Sequence, residues 1–302
     1  MSNPTRIFYF VLTAFFWGCS YLAIGIAIRH TPPFFAAFLR SVVAMTLVAV
    51  YLLWRYKKIG LPKLWKQSMT SGLFVMGIAW IFLFWGEKFV TPAMAAILNS
   101  TVPIFATILL PFLVPDEKLS RNKVTGVLIG FGGVVLIFWP ELSWTVSPEL
   151  KGLLAVTMMA LCYSIGVLWT RRIANRVSNA TNLFYQCLGS AIILFLFSAI
   201  FELPHQPVPW SWPAMTAIFY LGTCSTAIAW LMFFRLMKDI GSVQATSVTY
   251  LIPIVAIVVD HFFWDKGLAW NQLCGALVIL SAVFLINYKP GRFAKRSQAK
   301  MA

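Results

Sequence analysis

The chain has 302 residues, of which 60% are hydrophobic and only 11% are charged. Soluble globular domains carry roughly 25% charged residues, so this composition excludes a single water-soluble domain. The net charge of +15 would favour nucleic-acid binding in a soluble protein, but in a membrane protein it must be judged by where the charges lie.

Ten apolar segments along the chain predict membrane spans, because runs of about 18 or more apolar residues are typical of such spans. The fold class expected is therefore an all-α membrane protein with ten transmembrane helices. The connections are too short for a soluble catalytic domain, so any function is expected within the bilayer. In chain order, the predicted spans are 7–28, 34–54, 69–86, 92–114, 123–139, 152–170, 181–201, 212–234, 242–263 and 268–287.

Lysine and arginine are distributed unevenly between the two alternating sets of connections. Nineteen lie in one set and four in the other, and Arg40 lies within a span. Membrane proteins concentrate these residues on the cytoplasmic side, so both termini are predicted to be cytoplasmic. The short connections favour a bacterial inner membrane. The basic tail 291–302 is expected to contact anionic lipid headgroups.

The second half of the chain repeats features of the first. Val90–Ile104 aligns with Ile240–Ile254 at an offset of 150, and 123–137 aligns with 272–286 at an offset of 149. A five-helix unit has an odd number of spans, so its copy enters the membrane from the other side. The predicted units are 1–145 and 146–290, an inverted repeat of the kind typical of transporters.

The sequence offers no cofactor, metal or nucleotide site. The five cysteines lie in apolar stretches and form no C-x-x-C pair. The GFGG sequence at 130–133 lies within an apolar span, outside the strand–turn–helix context of a nucleotide fingerprint. Together with Gly126 it gives a G-x-x-x-G pattern, which indicates close helix packing.

Several segments resemble the EamA family of the drug/metabolite transporter superfamily. They are FFWGCSYLAIGIAI (15–28), PPFFAAFLR (32–40), TPAMAAILNSTVPIFATIL (91–109) and the run 116–136. The resemblance extends over nearly the whole chain. It implies two inverted five-helix halves around a central cavity, and export of amino acids, other metabolites or toxic compounds.

Three charged residues near or within the spans are candidates for gating or ion pairing. Arg40 lies seven positions into the second span, where a charge costs about 2.5–3.5 kcal/mol on insertion scales. Glu87 at the end of the third span is predicted to lie on the same side of the membrane. The two residues could form a functional pair or a structural ion pair, or Arg40 could bind a substrate carboxylate. Asp260 is the third candidate.

Stripes of small and hydroxyl-bearing residues run along the fourth and ninth spans. Such stripes either allow close helix packing or line a polar cavity. Proline in each stripe is expected to bend its helix and free backbone carbonyls. The predicted cavity-lining members are Asn99, Ser100, Thr246, Thr249 and Tyr250, and the helix-bending residues are Pro103 and Pro253.

Aromatic residues deep within the spans either pack in the core or complete a small-molecule site, which is usually apolar with a few polar groups. As a group they suit apolar, aromatic or cationic solutes. These candidates, with one neighbouring serine, are Trp17, Ser20, Tyr21, Trp80, Phe84, Tyr163 and Trp230.

The function expected is an alternating-access permease that exports small organic solutes around a cavity lined by spans 1, 3, 4, 6, 8 and 9. The alternatives are an intramembrane enzyme or a scaffold acting on lipid-linked substrates. No acid lies centrally in a span, so facilitated diffusion is at least as plausible as proton coupling through Glu87 or Asp260. Expected partners are the solute and lipids, not nucleic acid, and a homodimer is an open alternative.

Overall fold

A computed structural model describes residues 3–117, 119–139, 149–204, 211–255, 258 and 270–287. All secondary structure in these residues is helical. We number the helices α1 (Asn3–His30), α2 (Pro33–Tyr56), α3 (Trp65–Gly86), α4 (in two parts, Pro92–Asn99 and Val102–Leu113), α5 (Arg121–Phe138), α6 (Glu149–Ile173), α7 (Asn179–Phe201), α8 (Trp212–Ile240), α9 (Ser242–Val255) and α10 (Trp270–Asn287).

Seven of these helices, α1 to α4 and α6 to α8, are long and apolar enough to cross a membrane. Shorter apolar stretches occupy α9 and the part of α10 from Leu277 to Ile286. The predicted all-helical membrane protein is therefore confirmed. The finer count of ten spans in an inverted repeat stays a prediction.

Four of the helices begin at a residue with a hydroxyl side chain. Each occupies the N-cap position and accepts a hydrogen bond from the amide three residues later, which satisfies one of the free donors at a helix start. The caps are Thr91 on α4, Ser120 on α5, Ser178 on α7 and Ser211 on α8. These polar residues fix where the apolar segments become helices.

Both α4 and α9 depart from regular α-helix near their prolines. In α4 the helix stops at Asn99 and restarts at Val102, with Pro103 in the first turn of the second part. In α9 a 3₁₀ turn over Ser247–Leu251 precedes Pro253. Because proline lacks an amide donor, it is tolerated where a helical turn begins.

Two π-helical segments lie in α3 and α8, at Leu73–Ile78 and Leu221–Ile228. The sequence patterns gave no expectation of them. In the second segment the Thr226 hydroxyl donates to the carbonyl of Leu221, five residues earlier, at 2.7 Å. Short π-helical segments within α-helices occur frequently at functional sites.

Glycines on α5 allow it to pack closely against α10. A Cβ atom added at Gly126 would lie 3.1 Å from the carbonyl oxygen of Ala282, and one at Gly133 would lie 3.0 Å from that of Gly275. The packing role predicted for the glycine pattern is confirmed. Gly130 instead faces the ring of Tyr250 on α9.

Gly72 of α3 lies directly against the backbone of α7, and Gly72→Ala is expected to destabilise the protein by about 1–3 kcal/mol through overpacking. An added Cβ would be 2.3 Å from the Gln186 Cα atom, where only backbone movement could relieve the clash. The measurement is the midpoint of thermal unfolding in detergent.

Gly132→Ala is the matched control, because a Cβ at Gly132 meets nothing within 4 Å. It should leave stability unchanged or raise it by up to about 1 kcal/mol, the helix-propensity difference between the two residues. Equal midpoints for the Gly72 and Gly132 variants would contradict the close packing of α3 on α7.

The helix ends define two faces of the molecule. We call the face that holds Arg6, Arg171 and Asp239 the basic face, where Arg6 lies 3.6 Å from Asp239. We call the other the opposite face. There the carboxylate of Glu202 accepts hydrogen bonds from the first amides of α2, those of Phe34 and Phe35, at 2.8 and 2.9 Å.

Candidate functional site

A cavity of about 40 Å³ lies inside the bundle, and residues from seven helices line it. Its volume is close to the ~30 Å³ that one water molecule occupies in the liquid. Leu83, Met159 and Ile252 supply part of its apolar wall. It brings together eight residues singled out from the sequence: Trp17, Ser20, Tyr21, Arg40, Trp80, Asn99, Tyr163 and Trp230.

Aromatic rings from three helices form one side of this cavity. The Trp17 ring lies 5.4 Å from that of Trp230 and 6.1 Å from that of Tyr163, and the latter two rings are 5.5 Å apart. These separations fall within the range at which aromatic pairs attract each other. The Trp17 indole Nε1 donates to the carbonyl of Ser225 at 3.0 Å, which anchors α1 to the π-helical segment of α8.

Arg40 is held in the cavity wall by polar contacts with that same π-helical segment. Its Nε donates to Thr226 Oγ1 at 2.9 Å, and its Nη2 donates to Ser225 Oγ at 3.1 Å. The guanidinium carbon lies 4.0 Å from the centre of the Trp80 ring, a cation–π contact. The side chain is only 3% exposed, yet its Nη1 has no hydrogen-bond partner.

The expected pairing between Arg40 and Glu87 is not formed. Both carboxylate oxygens of Glu87 are buried without a hydrogen-bond partner, and Arg40 instead contacts the hydroxyls of α8. The two side chains therefore form no hydrogen-bonded ion pair in the described conformation, and the role of this pair stays a prediction. The physical reason is that the hydroxyls of Ser225 and Thr226 accept from the guanidinium in place of a carboxylate.

Two larger clefts flank the cavity. One, of about 880 Å³, is on the opposite face and is lined by Arg29, Glu87 and Lys88 together with apolar residues of α1, α4 and α5. The other, of about 740 Å³, is on the basic face between the ends of α4, α6 and α8. Along α1 the cavity residue Tyr21 and the cleft residue Gly25 are one helical turn apart.

Glu117 is the centre of a polar network that joins the two halves of the chain at the basic face. Its carboxylate accepts from the Ser242 amide at 2.9 Å, from the Ser242 hydroxyl at 3.0 Å and from Arg171 Nε at 3.1 Å. Lys123 Nζ lies 3.6 Å away. Gly241 has a φ of +94°, and a Cβ there would lie 2.6 Å from the Glu117 carboxylate, so the approach requires glycine.

The EamA-like transporter family matches this sequence twice, over residues 5–139 and again over 150–288. The chain belongs to the EamA-like transporter family. The resemblance identified from the sequence segments is thus confirmed, and the membrane and transporter classes follow from it.

Known proteins similar to this chain match it over most of their length. The chain is 25% identical over 277 residues to the uncharacterized transporter YvbV of Bacillus subtilis, covering 90% of this chain and 88% of that one. It is 23% identical over 277 residues to protein PagO of Salmonella typhimurium, covering 91% and 90% respectively. A crystal structure with 21% sequence identity covers 95% of this chain and 99% of its own, with a TM-score of 0.77, which supports the fold.

The structure places the remaining predicted residues of this EamA-family chain outside the cavity lining. Phe84 is fully buried in the core. The hydroxyls of Ser100, Thr246 and Thr249 donate to backbone carbonyls of their own helices, and that of Tyr250 donates to the Val127 carbonyl of α5 at 2.7 Å. Pro103 and Pro253 follow the irregular turns of α4 and α9, Glu87 lines the opposite-face cleft, and Asp260 lies outside the described residues.

Two hydroxyl residues of the site, Ser225 and Thr226, were missed by the sequence reasoning. They hold Arg40, and the Ser225 carbonyl holds Trp17. Their signal in the sequence is the run Thr223–Thr226, which puts three hydroxyls into an otherwise apolar span. Hydroxyls in spans more often bond their own helix, so the run alone does not identify a partner.

Proposed function

We propose that this EamA-family transporter is an alternating-access permease that exports small organic solutes across a bacterial inner membrane, with both termini cytoplasmic. On this proposal the basic face is cytoplasmic, and residues 1–145 and 146–290 are inverted five-helix repeats that move relative to each other around the cavity. The tail 291–302 contacts anionic headgroups, and a homodimer remains an alternative to a monomer.

The observation that carries the proposal is the arrangement of the three spaces. A small cavity with aromatic and polar walls lies within the bundle, and a larger cleft lies on each face. In α3, the cavity residue Trp80 and the cleft residue Glu87 are about two turns apart, so only short lengths of helix separate the spaces. A central site that can be reached from one face at a time is what alternating access requires.

The test is release of a mixed pool of labelled amino acids, metabolites and cationic dyes from liposomes that contain the purified protein. Mass spectrometry measures the solutes released from these liposomes and from empty liposomes, with and without an imposed proton gradient. Selective release without a gradient supports a facilitator, and release only with one makes Glu87 and Asp260 the residues to neutralise. Release no faster than from empty liposomes contradicts the proposal.

A cavity-filling variant links release to this site. Ser20→Val replaces the hydroxyl in the cavity wall by two methyl groups, and it is expected to slow release by about tenfold or more, since overpacked sites cannot hold the solute. The Ser20 hydroxyl donates only to the Trp17 carbonyl of its own helix, at 2.6 Å, so the fold does not depend on it.

Ser281→Val is the matched control for that variant. The Ser281 hydroxyl donates to the carbonyl three residues earlier in α10, at 2.7 Å, as Ser20 does in α1, but Ser281 is exposed. This control should release the solute at the same rate as the unmodified protein. Equal release by both variants, with unfolding midpoints unchanged, would place the solute path elsewhere.

A further inference from the structure

The Arg40 guanidinium has one nitrogen, Nη1, that donates no hydrogen bond to the described residues. Its Nε and Nη2 bind the hydroxyls of Thr226 and Ser225, and its plane is fixed over Trp80. The remaining nitrogen, Nη1, is buried and makes no hydrogen bond. Two of its three nitrogens thus serve to orient the group, and the third is left to bind something else.

A buried cationic donor strongly favours an anionic acceptor. Guanidinium groups bind carboxylates through short, charge-assisted hydrogen bonds, and these strengthen where water is excluded. The same positive charge opposes entry of a cationic solute. Such a donor would make the cavity select solutes by the sign of their charge, which aromatic walls alone would not do.

The protein itself supplies no acceptor for this donor in the described structure. Glu87 is close enough for its charge to interact with Arg40, but its oxygens make no hydrogen bond and it lines the opposite-face cleft. The other titratable groups that interact with the guanidinium are phenols and a thiol, which are neutral when protonated. They are Tyr21 of α1, Tyr163 of α6, Cys187 of α7 and Tyr220 of α8.

We propose that Nη1 of Arg40 binds the carboxylate of the transported solute, and that the solute's apolar body lies among the rings of Trp17, Tyr163 and Trp230. The class of substrate is thus an organic carboxylate with an apolar or aromatic body. The cavity of about 40 Å³ has room for little more than the carboxylate group, so the rings separate when the body enters. This inference rests on the proposed function, since it names the solute of the same cavity.

The test compares three probes that differ only in their end group: 3-phenylpropionate, 3-phenylpropionamide and 3-phenylpropylamine. Binding to the purified full-length protein in lipid nanodiscs is followed by tryptophan fluorescence, since Trp17, Trp80 and Trp230 line the cavity. The propionate is expected to bind at least about tenfold tighter than the amide, and the amine weakest, as a charged pair in a site of low polarity requires.

Arg40→Gln should reduce the propionate-to-amide ratio to about one while binding of the amide persists. Arg40→Lys keeps the charge without the fixed fork and should retain part of the preference, which provides a second variant should the glutamine variant not fold. The control is Arg55→Gln, the same substitution at an exposed position on the same helix, which should leave the ratio unchanged.

Several outcomes would overturn the inference. They are a preference for the amine, equal binding of propionate and amide, or no propionate binding up to about 10 mM. A further outcome is that Arg40→Gln lowers stability, that adding Glu87→Gln restores it, and that the propionate-to-amide ratio does not change. This outcome would make Glu87 the partner of Arg40. Release of solutes that show no carboxylate preference would overturn this inference and leave the proposed transport function standing.

Discussion

Trp230→Ala is expected to lower the free energy of unfolding by about 3–5 kcal/mol, as removal of a large buried aromatic side chain does. Trp230 is 1% exposed, and its ring lies within 5.5 Å of the rings of Trp17, Tyr163, Phe233 and Phe234. Truncation would leave a void among these rings and remove the common contact of α1, α6 and α8. The measurement is denaturant unfolding in detergent, together with solute release from liposomes, which should fall to the level of empty vesicles.

Trp212→Ala on the same helix is the control, because Trp212 is 79% exposed. Its unfolding free energy should change by less than about 0.5 kcal/mol, the range usual for surface positions. A loss of stability at Trp212 as large as that at Trp230 would mean that the effect reflects tryptophan removal in general and not the cluster.

Glu117→Ala is expected to destabilise the protein by about 1.5–3 kcal/mol, the range for losing hydrogen bonds to a charged group, because the network is partly buried. The substitution deprives Arg171 Nε and the amide of Ser242 of their acceptor, and the Glu117 side chain is only 9% exposed. Because the contact with Ser242 joins residues 125 positions apart at the basic face, its loss should also open the basic-face cleft. Two measurements test this. One is the unfolding midpoint, and the other is the rate at which a thiol reagent labels a cysteine introduced at Asn175, which lines that cleft.

Two companion variants separate charge from hydrogen bonding in this network. Glu117→Gln keeps an acceptor for the Ser242 amide and should recover part of the lost stability. Asp116→Ala removes the neighbouring carboxylate, which is exposed in the same cleft, and should change little. Equal effects of the substitutions at Asp116 and Glu117 would contradict a specific role for the network.

Much of the helical framework was predictable because hydropathy and capping act over short stretches of chain. The apolar segments gave α1 to α8 within a few residues, and Thr91, Ser120, Ser178 and Ser211 begin helices where caps were available. The π-helical segments Leu73–Ile78 and Leu221–Ile228 were not predictable, since their hydropathy is that of an ordinary span.

The candidate site was predictable in its residue types and less so in its contacts. Trp17, Tyr163 and Trp230 were singled out because they lie deep in their spans, and the structure gathers them around one cavity. The hydroxyls of Thr249 and Tyr250 were chosen as polar members of the stripe in the ninth span, yet they donate to backbone carbonyls outside the cavity. Periodicity places a residue on a face of its helix, but it does not identify the neighbouring helix that covers this face.

By itself, the sequence determined that this is a helical membrane protein of the EamA family, and it marked Arg40 as an unusual charge within a span. Only the tertiary structure decided that Arg40 is held by Ser225 and Thr226 and not by Glu87, with its Nη1 nitrogen left without a partner in the cavity. The physical reason is one of range. Transfer from water to lipid is a property of each residue and its near neighbours, whereas the partner of a buried charge is set by the packing of helices more than 180 residues apart in the chain.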